Sequence, residues 1–207
     1  MDSRLRALCD LFVPLVREYV GRHEYDGVLQ DLSIPGVRTA LDRLGGPADP
    51  DPHDEAQLRA FEDAARVMYD ELEMHRSNPL FHIANLDLAC YEREYAPAAD
   101  RERARAAHVE QWPDAIDAAV STLDRVPAPI AAATVGAARG LASALHAHER
   151  AAADAHQRLV SHLAEQAHTG PRETALGGPA LARLLGAGEA LDVDLAELSK
   201  RADAERD

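Results

Sequence analysis

Apolar residues recur at three- and four-residue spacing through most of this chain, and no segment of useful length alternates with the two-residue period of a strand. The pattern predicts an all-α protein, a bundle of about eight or nine helices without a sheet. In the first helix Leu5, Leu8, Phe12, Leu15, Val16 and Tyr19 mark one face between Ser3 and Val20, with Pro14 expected to kink it. Residues Gly21 to Ser33 carry no sustained period and read as an ordered excursion, followed by a short helix from Ile34 to Leu44. Gly45 to His53, with Pro47, Pro50 and Pro52, reads as a mobile connector, because each proline removes a backbone donor and restricts the residue before it.

Asp54 and Gln57 form a capping-box pattern, and Leu58, Phe61, Ala65, Met68 and Leu72 then predict one face of a long helix reaching about His75. Pro79 opens a central helix to about Tyr95 that is apolar nearly all round, from Leu80 and Phe81 to Cys90 and Tyr91. Pro97 and Pro113 open helices over 98–111 and 113–125, and Pro127 with Pro129 forces a break. The longest candidate is Ala-rich, from Ile130 to about Ala167, with Gly136 and Gly140 one turn apart as a device for close helix approach. Short helices near 179–185 and from Asp194, which repeats the capping-box pattern with Glu197, precede a charged tail from Lys200 to Asp207 that is expected to fray. All of this reads as one domain, 1–207: N-terminal helices and excursion (1–45), connector (46–53), main bundle (54–168) and C-terminal short helices (169–207).

Composition agrees with helix-on-helix packing. The chain is 46% hydrophobic but only 4% aromatic, so its apolar content is chiefly Ala, Leu and Val. A formal charge of −14 argues against nucleic acid and against an anionic membrane, because both are polyanions bound through clustered Lys and Arg. No run of about eighteen apolar residues occurs, and Met1-Asp2-Ser3-Arg4 lacks the apolar core of a signal peptide, so a cytoplasmic location is expected. Cys9 and Cys90 are expected to be small buried hydrophobes rather than a disulfide.

The zinc-hydrolase signature sets two histidines one helical turn apart with a glutamate between them, so that both rings face one ion and the carboxylate activates its water. His23-Glu24 is followed by Gly27 where the second ligand belongs, and His148-Glu149 by Ala152. His146, His148, His156, His162 and His168 fall on one predicted helix, where a 100° step per residue scatters their directions. Glu71 and His75 share a helix face and are weak metal candidates, although such a spacing more often makes a modest surface pair.

Asp87 is the only formal charge between Arg76 and Glu92 and is placed by spacing on the central apolar stripe, where a carboxylate must be paired or protonated. Arg139, between Gly136 and Gly140, is its expected partner. Such a pair either fixes helix register as a buried salt bridge or, with Asn78 and His82, lines a substrate cleft whose other wall lies outside the chain. Asn78, His82, Asp87 and Arg139 are thus the candidate contact residues, and no catalytic residue is assigned.

Several stretches, taken in order, resemble the amino-terminal region of the bacterial family known as domain of unknown function 885. They are Gly21-Arg22-His23 with Tyr25-Asp26 and Asp31-Leu32-Ser33, then Ser77-Asn78-Pro79-Leu80-Phe81-His82-Ile83 with Asp87 and Tyr95-Ala96-Pro97, then Arg139-Gly140, 178–185 and 192–198. The resemblance implies a largely helical protein over twice this length, related to zinc-dependent peptidases, whose His-Glu-x-x-x-x-His metal helix lies in the second half. This sequence stops before that half. By resemblance the chain is expected to be the non-catalytic helical half of a metal-dependent hydrolase, covering or scaffolding a substrate cleft and inactive alone. Zinc is then expected only in the missing half, and the partner is either a catalytic C-terminal half or a second copy in a homodimer. Two further readings stay open: a free-standing helical ligand-binding or protein-interaction domain, and a small metalloenzyme with ligands from separate helices.

Overall fold

A computed structural model describes residues 3–206, apart from the side chains of Glu18 and Tyr19. Among the described residues there are eleven α-helices and no strand: α1 Ser3–Val20, α2 Ile34–Leu41, α3 Pro52–Arg66, α4 Met74–Ser77, α5 Leu80–Leu86, α6 Ala98–Glu110, α7 Trp112–Thr122, α8 Ala128–Gly140, α9 Arg150–Thr169, α10 Gly178–Ala187 and α11 Leu195–Arg206. The all-α class matches the sequence reading, whereas the count exceeds eight or nine because the two longest expected helices are broken. None is long and apolar enough to cross a membrane.

The chain divides into a terminal unit, Met1–Leu8 with Leu41–Met74 and Ala175–Asp207, and a central unit, Cys9–Ala40 with His75–Thr174. In the terminal unit Arg4 is almost wholly buried and donates to both oxygens of Glu62, at 2.9 and 3.0 Å, and to Glu55 Oε2 at 2.6 Å. The same carboxylates accept from the backbone N–H groups of Gly45 and Asp49. The proline-rich connector, expected to be loose, is therefore tied by charge-assisted hydrogen bonds at its start, Gly45, and at its middle, Asp49. Those bonds also hold the Glu55 carboxyl down to about 2, with Glu62 likewise below the usual carboxylate range.

α3 begins one turn earlier than the capping-box pattern indicates, because Asp51 caps it by accepting from His53 and Asp54 N–H. A π-helical segment, Val67–Glu71, follows and buries Val67 and Tyr69, while Phe61 of the expected apolar face is exposed on α3. The helix does not reach His75: Glu73 adopts φ 43°, a left-handed conformation that ends it before α4. The capping role of Asp194 is as expected, since its carboxylate accepts from Ala196 and Glu197 N–H, and α11 continues helical through Lys200 to Arg206.

In the central unit α9 packs against both α7 and α8. Trp112, Ile116 and Leu123 interlock there with Leu159 and Leu163, all essentially inaccessible to solvent. Each such side chain contributes roughly 1.5–3 kcal/mol by leaving water. Ala131, Ala138, Ala152 and Ala155 are buried with them, and their small size sets the close approach of α8 to α9. The expected role of Gly136 and Gly140 is not found: both are exposed, and a Cβ at either would meet nothing within 4 Å. Replacing Gly136 by Ala is therefore expected to stabilise the protein by about 0.5–1 kcal/mol in thermal or urea unfolding, through the helix propensity and reduced unfolded-state entropy of alanine. A loss of stability would show that Gly136 makes a close contact after all.

The long Ala-rich helix is two helices. After α8 a 3-10 turn, Leu141–Ala144, leads to extended Leu145 and a loop through Glu149. The break lets α9 fold back on α8, where His156 Nε2 donates to Ala138 O at 2.8 Å. Arg105 on α6 satisfies the freed carbonyl of Ala144. In α1 the expected kink is present, Val16 having non-helical φ −124° and ψ 19° just after Pro14. Leu11, Val13 and Arg17 are buried in the central-unit part of α1, whereas Val16 is exposed. The Tyr19 position of the expected face lies outside the described side chains.

Candidate functional site

The central helix also ends early. α5 stops at Leu86, Asp87 turns extended, and its carboxylate accepts from Ala89 N–H at 2.9 Å to start the 3-10 turn Ala89–Glu92. Asp87 is thus exposed rather than buried, Arg139 is exposed on α8, and no ion pair joins them. A periodicity that carried Asp87 onto the apolar stripe fails because the helix ends before that residue. Asn78 makes a local turn, its Oδ1 accepting from Leu80 N–H at 3.1 Å. Glu71 is exposed in the terminal unit and accepts from Arg183 at 3.1 Å, and His75 is buried in the central unit, so the single helix face expected to carry both is interrupted at Glu73. His82, one of the four contact candidates, lines a cleft.

That cleft, of about 330 Å³, lies in the central unit between the segment Leu29–Leu32, α5 and α7. His82 and Asn85 on α5 form one wall, Gln30 another, and Gln111, Asp114 and Ala115 the third. Asn85 positions the Gln30 wall: its Oδ1 accepts from Gln30 N–H and its Nδ2 donates to Gln30 O, both at 2.9 Å. Gln111 Nε2 donates to Gly27 O at 2.6 Å, anchoring the preceding residues of the same segment. Gly27 has to be glycine here, with φ +76° and Ala104 O only 3.1 Å from where a Cβ would sit.

Beneath the cleft the side chains form locks rather than a reacting set. His82 Nε2 faces His75 O at 2.9 Å, so Nε2 carries the proton and Nδ1 is the acceptor; burial drives this ring's pKa down to about 4. Buried Arg17 donates to Pro14 O, Tyr91 Oη, Asn85 O and, at 3.2 Å, His108 Nδ1. A guanidinium only donates, so His108 is held neutral, its pKa pushed down to about 3 by burial and by the Arg17 charge. Tyr91 Oη accepts from Gly27 N–H at 2.8 Å and contacts His108 Nδ1 at 3.0 Å. Burial raises the Cys90 thiol to about 11, which keeps it protonated, and Cys9 and Cys90 are free thiols.

Gln30 was not distinguishable in the sequence from any other loop glutamine. It is 8% exposed, and among the described residues neither its Oε1 nor its Nε2 finds a hydrogen-bond partner. Leaving such an amide unpaired costs on the order of 1–3 kcal/mol. At the rim Asp31 and Asp114 are exposed carboxylates that give the opening a negative field. The cleft can accept and donate hydrogen bonds and attract a cation, and its walls hold no nucleophile paired with a base. The His-Glu-x-x-x-x-His motif has no counterpart at any position of the chain, so no zinc step is derived from the residues present. Compared with protein-family models, with curated proteins and with solved structures, the chain matches none.

Proposed function

We propose that this chain is a non-catalytic helical binding domain, whose central-unit cleft holds a small cationic, amide-bearing group such as the amino end of a peptide. In the fuller form of this reading it is the helical half of a metal-dependent hydrolase, as the family resemblance implies, with catalysis supplied by another polypeptide segment. The observation that carries it is the unpaired Gln30 amide within a cleft whose backbone is pinned by Asn85 and Gln111. A polar group held unsatisfied by a rigid frame is a group available to a ligand. The acidic rim of Asp31 and Asp114 sets the sign of the charge it receives.

Docking to a second polypeptide has its own support, in the terminal unit. Leu176, Leu181, Leu185, Leu191 and Leu198 are all more than 40% exposed on or beside α10 and α11, and an apolar surface of this kind marks an interaction face.

The ligand reading is tested by ¹H–¹⁵N NMR with the dipeptides Arg-Ala and Asp-Ala as probes. Arg-Ala is expected to shift the Gln30 side-chain amide and the His82 and Ala115 signals, Asp-Ala to leave them in place, and D31N/D114N to abolish the difference. If Arg-Ala at millimolar concentration moves none of these signals, the cleft is not a binding site for such a group.

A further inference from the structure

The loop that divides α8 from α9 brings two imidazoles, which a continuous helix would have pointed about 200° apart, together beside two carboxylates. His146, His148 and Glu149 each offer a donor atom, and these atoms all lie within 4.8 Å of one another. The two rings stand with centroids 5.5 Å apart. His146 Nδ1 is 3.9 Å from Glu149 Oε1 and 4.0 Å from Glu102 Oε1, which α6 supplies. We propose that His146, His148 and Glu149, with Glu102 as fourth donor, form a site for one divalent transition-metal ion of the zinc type.

Imidazole nitrogen with carboxylate oxygen is a donor set that suits zinc, whereas magnesium and calcium favour oxygen alone. Donors on a tetrahedral zinc, with bonds of about 2.0–2.1 Å, sit roughly 3.3 Å apart. The His146 contacts with both carboxylates must therefore close by about 0.6–0.7 Å, and any pair among His146, His148 and Glu149 by about 1.5 Å at most, with Glu102 swinging in from α6. His146 and His148 are exposed, so side-chain rotation supplies this without moving buried structure.

Glu149 is the fixed point. Its side chain is only 10% exposed, and Arg105 Nη1 and Nη2 hold its two oxygens at 2.6 and 3.0 Å, while His146 N–H donates to Oε2 at 2.7 Å. Such partners orient a ligating carboxylate from behind, as outer hydrogen bonds do in metal sites generally. Arg105 carries one positive charge against Glu102, Glu149 and Glu92, so a cation still meets a net negative field. Glu92, Glu102, Arg105 and His146 line an open pocket of about 300 Å³ that gives an ion access. This pocket shares no lining residue with the Gln30 cleft, and the site is independent of the function proposed for that cleft.

Titration calorimetry of the full chain with zinc chloride is expected to show one zinc per chain, and magnesium chloride to show no binding. H146A and H148A are each expected to weaken zinc binding about tenfold or more. H53A, which removes another exposed histidine, is expected to leave binding unchanged. Because His146 and His148 are exposed, both variants should keep the metal-free melting curve of the parent by circular dichroism, so a loss of binding reports ligation rather than unfolding. Absence of zinc uptake at millimolar concentration, or uptake that persists in H146A/H148A, would overturn the assignment.

Discussion

Between pH 7.5 and pH 5 the central unit is expected to lose about 4 kcal/mol of stability, because two of its buried histidines, His82 and His108, are held as neutral rings. The ordinary imidazole pKa is near 6.5, and in the fold that of His82 falls to about 4 and that of His108 to about 3, each chiefly through burial. Above about pH 6.5 both folded and unfolded chains keep the rings neutral, and the full stability is present. As the pH falls below that value the unfolded chain takes up protons that the native chain refuses, and stability drops until the native rings also protonate, near pH 4 and pH 3. Geometry supports the direction independently: protonated His108 would point an N–H at the Arg17 guanidinium, whose hydrogen-bond acceptors among the described residues are neutral.

Urea unfolding followed by the fluorescence of Trp112, the only tryptophan and fully buried in this unit, measures the effect. At pH 5 the low-titrating carboxyls Glu55 and Glu62 are still ionised, so the histidines dominate the change. H82Q keeps a donor for His75 O and H108N keeps an acceptor for Arg17, and the double variant is expected to flatten the profile between pH 7.5 and pH 5. An unfolding free energy in the parent that is the same at both pH values would refute neutral burial of these rings.

Replacing Asn85 by Ala is expected to cost about 2–4 kcal/mol, since it strips the partners from the N–H and C=O of Gln30, each an orphan worth on the order of 1–3 kcal/mol. Asn85 is 3% exposed, so water does not readily replace the lost amide. The same variant should release the Gln30 segment, raising hydrogen exchange at the Gln30 amide and abolishing the Arg-Ala response. N85D separates shape from bonding: its carboxylate still accepts from Gln30 N–H but opposes Gln30 O. It should therefore be destabilised at neutral pH and recover as the added acid protonates. A cost below about 0.5 kcal/mol for N85A would mean that the Gln30 segment is held by something else.

The sequence was most legible where a local signal coincides with the element boundary. Pro97, Pro113 and Pro179 open α6, α7 and α10 within a residue or two of the expected starts, because proline at the first turn loses a hydrogen bond the helix does not use. It was least legible where a helix stops without a proline to stop it. Leu86 to Asp87, Leu72 to Glu73 and Leu141 to Leu145 are all good local helix sequence, and the breaks at Asp87 and Leu145 are sustained by the Asp87 cap, the folding back of α9 and the Arg105 bond to Ala144 O. Three departures from the expected layout trace to these breaks. Asp87 leaves the apolar stripe, Glu71 parts from His75, and His146 and His148 leave the helix that would have scattered them.

Periodicity, proline placement and the poverty in aromatics determined from sequence alone that the chain is all-α. Those properties are sums over many residues, so single errors average out. Which polar groups are buried, and against what, was decided only by the tertiary structure: that Arg17 caps His108, that Asn85 clasps Gln30, that Arg105 fixes Glu149 beside two imidazoles. Each depends on residues tens of positions apart meeting within 3 to 4 Å, and one helix break shifts every contact beyond it.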